Sequence, residues 1–159
     1  MQQPGFVLAV VMQKRPIDNR WQSDVWEPVA VLADTESGNE PEKIKQSEGL
    51  ERWIFHGLRL TLRREEAEGY YLNISTQQPR VFVSWQIDDD CGVPQQVTAS
   101  YNDACTWMDA GEQVDSVAMP PDMYDVVSAF AREHYRPEPK RRIRPRSFQN
   151  KAHGPRSRQ

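Results

Sequence analysis

Glycine is sparse in this chain and never clustered. Eight glycines are spread over 159 residues, with no two closer than Gly49 and Gly57. Neither a phosphate-cradling loop nor a dinucleotide fingerprint can be built from such spacing, which excludes nucleotide binding through a glycine-rich turn. Cysteine is scarcer still. Cys91 and Cys105 are the only two, too few for a disulfide framework or an iron–sulfur cluster. A zinc or iron site would have to gather His56, Cys91, Cys105 and His134 from distant segments, and no C-x-x-C or H-E-x-x-H spacing organises them. Long apolar runs are also missing. The longest, residues 6–12, is far short of the roughly 18 residues that span a bilayer, and it has no basic residue before it that would make a signal peptide. The expectation is a cytoplasmic protein without a metal or a cofactor.

What the chain does have is core material and an uneven charge. Hydrophobic residues make up 38%, with five Trp, five Tyr and five Phe, which suffices for one buried core. The net charge of −3 conceals two opposed regions. Residues 136–159 carry nine Lys and Arg against one acid, leaving 11 basic and 22 acidic residues before them. An acidic body of residues 1–135 is therefore expected to carry a basic tail. Four prolines and only two large apolar side chains there, Ile143 and Phe148, predict that residues 136–159 are disordered.

Periodicity predicts an α+β domain in which strands precede helices. Residues 6–15 and 26–33 read as a hairpin, and 34–49, rich in small and charged residues, as a mobile loop. Alternation predicts strands at 58–63, 70–75 and 81–87, with a turn at 64–69, a polar loop at 88–94 and a sixth strand at 97–101. A short helix is expected over 103–110, capped by Asn102 and stopped by Gly111. A second is expected from Pro120-Pro121 to His134, amphipathic through Met123, Val126, Val127, Phe130, Ala131 and His134. The order suggests an antiparallel meander forming a curved sheet or a partly open barrel, closed by the C-terminal helix.

Catalytic chemistry has little to stand on in this pattern. The carboxylate clusters Glu65-Glu66-Glu68, Asp88-Asp89-Asp90, and Asp109 with Glu112 and Asp115 read as solvated loops, although an enzyme using them is an alternative. Cys91 lies among acids, which disfavours a thiolate. Aromatic residues with polar neighbours are more suggestive. Trp21, between Arg20 and Gln22 in the first turn, has the setting of a partner anchor, and Trp26, Tyr71 and Trp107 are further candidates. Lys140, Arg141, Arg142, Arg144 and Arg146 offer an electrostatic contact. Through them, nonspecific nucleic-acid binding is a second alternative.

Several stretches taken together carry a resemblance. Asp18-Asn19-Arg20-Trp21-Gln22-Ser23 with Trp26, then Glu66-Ala67-Glu68-Gly69-Tyr70-Tyr71-Leu72-Asn73, resemble the bacterial domain-of-unknown-function family 3305. Ser100-Tyr101-Asn102, Trp107-Met108-Asp109, Gly111-Glu112-Gln113-Val114-Asp115, Met119-Pro120-Pro121 and His134-Tyr135-Arg136-Pro137-Glu138-Pro139-Lys140 continue it in order. The resemblance implies a genomic setting beside formate dehydrogenase and molybdenum-cofactor genes, hence an accessory role in maturation of that molybdoenzyme. Some relatives carry a label of molybdopterin-guanine dinucleotide synthesis, a chemistry that uses a glycine-rich nucleotide loop not present in this sequence. The expected function is thus a non-catalytic accessory or assembly protein acting by protein–protein binding, its partner a formate dehydrogenase subunit or maturation factor.

Overall fold

A computed structural model describes residues 4–18, 20, 24–35 and 40–137. Seven antiparallel strands and three helices follow in the order β1 (Gly5–Pro16), β2 (Asp24–Ala33), β3 (Glu42–Ser47), β4 (Leu50–Thr61), α1 (Ala67–Ile74), β5 (Arg80–Asp88), β6 (Cys91–Thr98), α2 (Tyr101–Asp109), β7 (Gln113–Ala118) and α3 (Pro121–His134). The class is α+β, as the pattern predicts, but the strands form two sheets and no closed barrel. One sheet has the order β2-β1-β4-β3 and the other β6-β5-β7.

The differences from the sequence pattern have physical reasons. Residues 70–75 form a helix, not a strand. Tyr70, Leu72 and Ile74 fit a period of two, but Ala67, Tyr70 and Ile74 equally fit helical spacing, and those three are buried while Leu72 is 46% exposed. The turn at 64–69 is a short 3-10 segment, Arg64–Glu66, running into α1. Inside the presumed loop 34–49 lies β3, every residue of which is exposed, so it has no buried face to impose an apolar alternation. The strand expected at 58–63 begins at Leu50 instead. A bulge conceals it, because the register jumps from Leu8↔Leu58 to Val10↔Phe55 as Gly57 adopts φ +78° and donates its N–H to Asp34 Oδ2 at 2.9 Å. The polar loop at 88–94 contracts to two residues, and β6 occupies Cys91–Thr98. No strand is predicted where β7 lies, because half of its residues, Gln113, Asp115 and Ala118, face solvent. Ser100, rather than Asn102, caps α2, its hydroxyl accepting from the Asp103 N–H at 3.1 Å.

The core forms between the sheets and under the helices. Leu8, Val10 and Met12 alternate inward from β1 and meet Val81 and Val83 of β5, Val97 of β6, and Tyr70, Met123, Val127 and Phe130 of the helices. In the α3 stripe, Val126 departs from expectation and is exposed, while His134 is half-buried with its ring centroid 4.4 Å from that of Phe130. β6 lies against β4 and β1, and β2 against β7, without ladder bonds between the sheets. The helices gather where β4 ends and β5 begins: the Tyr70 hydroxyl bonds the backbone at Thr61 and Arg63, and the Met119 N–H bonds the Pro79 carbonyl. Among the described residues no helix caps the opposite end of the sheets. Among the described residues no helix is long and apolar enough to cross a membrane.

Candidate functional site

At the uncapped end, β1 finishes, β4 starts and β5 turns into β6. Lys14 pairs in register with Trp26 on one side and Glu51 on the other, so the three form a row across β2, β1 and β4. Period-two alternation carries Trp53 and Phe55 onto the Glu51 face. From the second sheet comes a two-residue hairpin turn at Asp89 and Asp90, whose φ values of +53° and +63° are those of a type I′ turn, closed by the pair Asp88↔Cys91. Between these groups lies a cleft of about 490 Å³ with Trp26, Trp53 and Phe55 as walls and Lys14, Glu51, Asp89, Asp90 and Cys91 around them. That volume is within the roughly 300–1,000 Å³ of small-molecule sites.

The charges are arranged around Glu51. Its carboxylate accepts from Trp53 Nε1 at 3.1 Å and is paired with Lys14 Nζ at 3.3 Å and Lys43 Nζ at 3.9 Å. The Trp53 hydrogen bond first, and then Lys14, hold its pKa below the ordinary glutamate range. Lys43 also stands 5.5 Å from the centroid of the Trp53 ring, a cation–π distance. Burial, reinforced by Glu51 and Asp88, pushes the Cys91 thiol up, which disfavours the thiolate at neutral pH.

Trp26 divides this cleft from a second, of about 380 Å³, whose lining includes Trp85, Ile87, Glu27 and Asp115. Trp26 is 8% exposed and lies on the backbone of Gly92, where a Cβ would come within 2.8 Å of the Trp26 Cβ. Trp85 Nε1 donates to Asp115 at 2.8 Å, and Arg15 Nε to Glu27 at 2.5 Å. Three indoles thus gather at one end of the molecule among carboxylates, Trp26 and Trp85 buried and Trp53 half-buried.

A polar junction occupies the helical end. The Ser100 hydroxyl donates to Glu66 Oε1 at 2.7 Å while capping α2, and Asp103 accepts from both Arg63 Nη2 at 2.7 Å and Thr98 Oγ1 at 2.8 Å. A Cβ on Gly69 would meet Ser100 Oγ at 2.2 Å, so only glycine lets α1 approach this closely. Asn73 is fully buried and bridges β5 to the end of β6. Its Nδ2 donates to the Arg80 and Ala99 carbonyls at 2.7 and 2.9 Å, and its Oδ1 accepts from the Arg80 N–H at 2.9 Å. These groups are mutually satisfied, which suits a structural joint. Near the β4 bulge, Asp34 accepts from the Gly57 N–H and lies 3.1 Å from His56 Nδ1. The Gly57 N–H bond, then that of Thr35, then His56 lower the Asp34 pKa.

The profile of a family described as protein of unknown function (DUF3305) matches residues 7–144. The chain belongs to that family. No curated protein and no solved structure matches it. The motif residues Glu66, Gly69, Tyr70, Asn73 and Ser100 of this DUF3305 chain fall in the polar junction, where they join α1 to α2 and the second sheet.

The structure distributes the sequence-predicted contact residues unequally. Trp26 is in the cleft wall, although buried, so it offers a partner only an edge. Tyr71 is on α1, stacked on Tyr135 at 4.7 Å, and Trp107 is half-buried on α2, so neither belongs to the aromatic end. Arg20 is exposed in the β1–β2 connection, while Trp21 and Gln22, like Lys140, Arg141, Arg142, Arg144 and Arg146, lie outside the described residues. The paired residues Pro16 and Asp24 that flank the connection are at the aromatic end. Sequence reasoning missed Trp53, Phe55, Trp85 and Glu51. The alternation Glu51, Trp53, Phe55 was the available signal. His56, Cys91, Cys105 and His134 occupy four different elements, and among the described residues no group of three or more His, Cys, Asp or Glu could hold a metal ion.

Proposed function

We propose that this DUF3305 protein is a non-catalytic accessory or assembly protein that works in the cytoplasm by binding another protein, a formate dehydrogenase subunit or maturation factor. The observation that carries the binding role is the uncapped end, where Trp26, Trp53 and Phe55 line a cleft whose rim is charged. Aromatic rings in a concave site ringed by polar groups are the usual anatomy of an interface hot spot. A non-catalytic role is supported by how the reactive groups are used. Ser100 is committed to Glu66 and to the α2 cap, Cys91 is held as a thiol, and the Asp103 carboxylate is bonded to Arg63 and Thr98. The formate dehydrogenase setting comes from the family resemblance alone.

The test is affinity purification with the full chain and two variants, Trp53→Ala and Trp21→Ala. A molybdoenzyme subunit or maturation factor should be retained by the wild type, and each variant should weaken that binding by about 2 kcal/mol, roughly thirtyfold, with a melting temperature close to wild type. Retention of no such protein, or equal retention by folded variants, defeats the reading.

A further inference from the structure

The acidic hairpin turn at the cleft mouth and the charge of the C-terminal segment stand in opposition. Asp88, Asp89 and Asp90 are exposed and make no ion pair among the described residues, whereas Glu51 and Glu27 already have cationic partners. Residues 138–159, outside the described residues, contain eight Lys and Arg and a single acid. Trp53, a wall of the cleft, already has one cation near its ring, Lys43 Nζ at 5.5 Å from the centroid.

We infer that the cleft is a binding site for an ammonium or guanidinium side chain, and that in the isolated protein its occupant is the end of the same chain, through Lys151, Arg156 or Arg158. Chain length selects these three. The cleft lies at the Glu51 end of β4 and the helices at its Thr61 end, ten strand residues or about 33 Å away. From Pro137, an extended chain advances at most about 3.3–3.6 Å per residue, so the cations up to Arg146 stop at or short of the cleft mouth. Lys151 lies fourteen residues on, with a reach of about 46–50 Å, and Arg156 and Arg158 reach farther. A cation delivered there would meet the unpaired aspartates of the turn and a ring face, and a partner using the same cleft would have to displace it. The inference does not depend on the identity, or the existence, of such a partner.

Zero-length carbodiimide coupling of the purified full chain tests it, because that reagent joins an amine to a carboxylate only when the two are in contact, with loss of water. In dilute protein at low salt, peptides containing Lys151 should be joined to those containing Asp88–Asp90 or Glu51 within monomers. The yield should fall about tenfold at about 1 M salt, where the Debye length is near 3 Å, and likewise in the Asp89→Asn/Asp90→Asn variant. Asparagine tolerates the left-handed backbone of both turn positions, so that variant keeps the hairpin while losing two charges. As a second readout, the indole N–H resonance of Trp53 should move in Lys151→Glu/Arg156→Glu/Arg158→Glu relative to wild type. Absence of the joined peptides together with an unmoved Trp53 resonance, their appearance only in covalent dimers, or yields unchanged by salt and by the asparagine variant would overturn the assignment; a Trp53 resonance that moves without joined peptides assigns the contact to Arg156 or Arg158, whose guanidinium the reagent does not couple.

Discussion

Asn73 is the residue whose removal should cost most for its size. The last ladder pair between β5 and β6 at the helical end is Phe82↔Thr98, and continuing that register would set Arg80 opposite Ser100. The chain instead diverts Ser100 into the α2 cap, leaving the backbone of Arg80 and the carbonyl of Ala99 without a rung. The Asn73 carboxamide takes the place of that rung, with three bonds of 2.7–2.9 Å from a side chain on a different element. Asn73→Ala removes all three and strands buried backbone groups. At about 1 kcal/mol per net bond, with extra cost for any partner left dry, and offset by some 0.6 kcal/mol from the better helix propensity of alanine, the loss should be about 3 kcal/mol. Urea unfolding should show a lower midpoint at unchanged slope, with melting lowered by roughly 10 °C. The near-isosteric Asn73→Asp should be at least as damaging at neutral pH, since it keeps the acceptor for the Arg80 N–H but sets a carboxylate against two carbonyls. Ser75→Ala, which loses one exposed bond to the Tyr71 carbonyl, should stay within about 0.5 kcal/mol. A cost below about 1 kcal/mol for Asn73→Ala would refute the view that the amide completes the sheet.

Three further outcomes are expected. Gly69→Ala should destabilise by about 2 kcal/mol or more because its Cβ displaces the Ser100 hydroxyl, and in combination with Ser100→Ala the losses should be clearly less than additive in a double-mutant cycle by urea unfolding. The folded-state pKa of Glu51 is lowered, so the unfolded chain binds the proton first; its stabilisation is present above about pH 4.5, the ordinary glutamate value, and is lost as the pH falls through the folded-state value. Glu51→Gln should therefore flatten the acid limb of the stability curve, and an unaltered limb would show that Lys14 and Trp53 do not hold the carboxylate. Cys91, with its thiol pushed up, should alkylate with iodoacetamide more slowly than a free thiol at neutral pH and keep accelerating as the pH rises through its ordinary value, whereas a rate plateau near neutrality would contradict the burial argument.

Legibility of the fold followed the presence of a buried face. β1 was readable as a short, continuous, β-branched apolar run, residues 8–13 of which are buried on both faces, and α3 because Met123, Val127 and Phe130 repeat at helical spacing. α1 was misread because its eight residues are too few to separate a period of two from one of 3.6, and its decisive neighbours, Gly69 against Ser100 and Asn73 against Arg80, are tertiary. β3 and the first half of β4 were hidden for other reasons. β3 buries nothing, and the bulge at Gly57 breaks the alternation of β4 in the middle, so that Leu58, Leu60 and Leu62 looked like a complete strand.

The site was less legible than the fold, because its parts come from positions up to seventy-seven residues apart and each alone has an ordinary explanation. Trp26 was a candidate contact residue, yet Gly92 gives it a seat in the interior, and a glycine between Cys91 and Val93 announces no such role until the strand pairing is known. Asp88-Asp89-Asp90 read as a solvated run. They are solvated, but their placement depends on backbone conformation, because two consecutive left-handed residues with the Asp88↔Cys91 closure set the turn beside the aromatic wall. Acidic residues do carry a local signal for that conformation, since Asp tolerates positive φ better than most side chains. Read that way, an acidic triplet ahead of Cys-Gly and after an alternating run is a tight hairpin instead of a loop, and a tight hairpin holds its carboxylates at a fixed place. The same inference separates the two ends of the molecule. At the helical end the acids Glu66 and Asp103 are consumed by Ser100, Arg63 and Thr98, whereas the turn acids have no ion pair among the described residues and share a cleft with two indoles and a phenyl ring. Charge left unpaired next to apolar surface has no structural employment in the described residues, and that is why the cleft, and not the motif-rich junction, is the place to look for a bound cation.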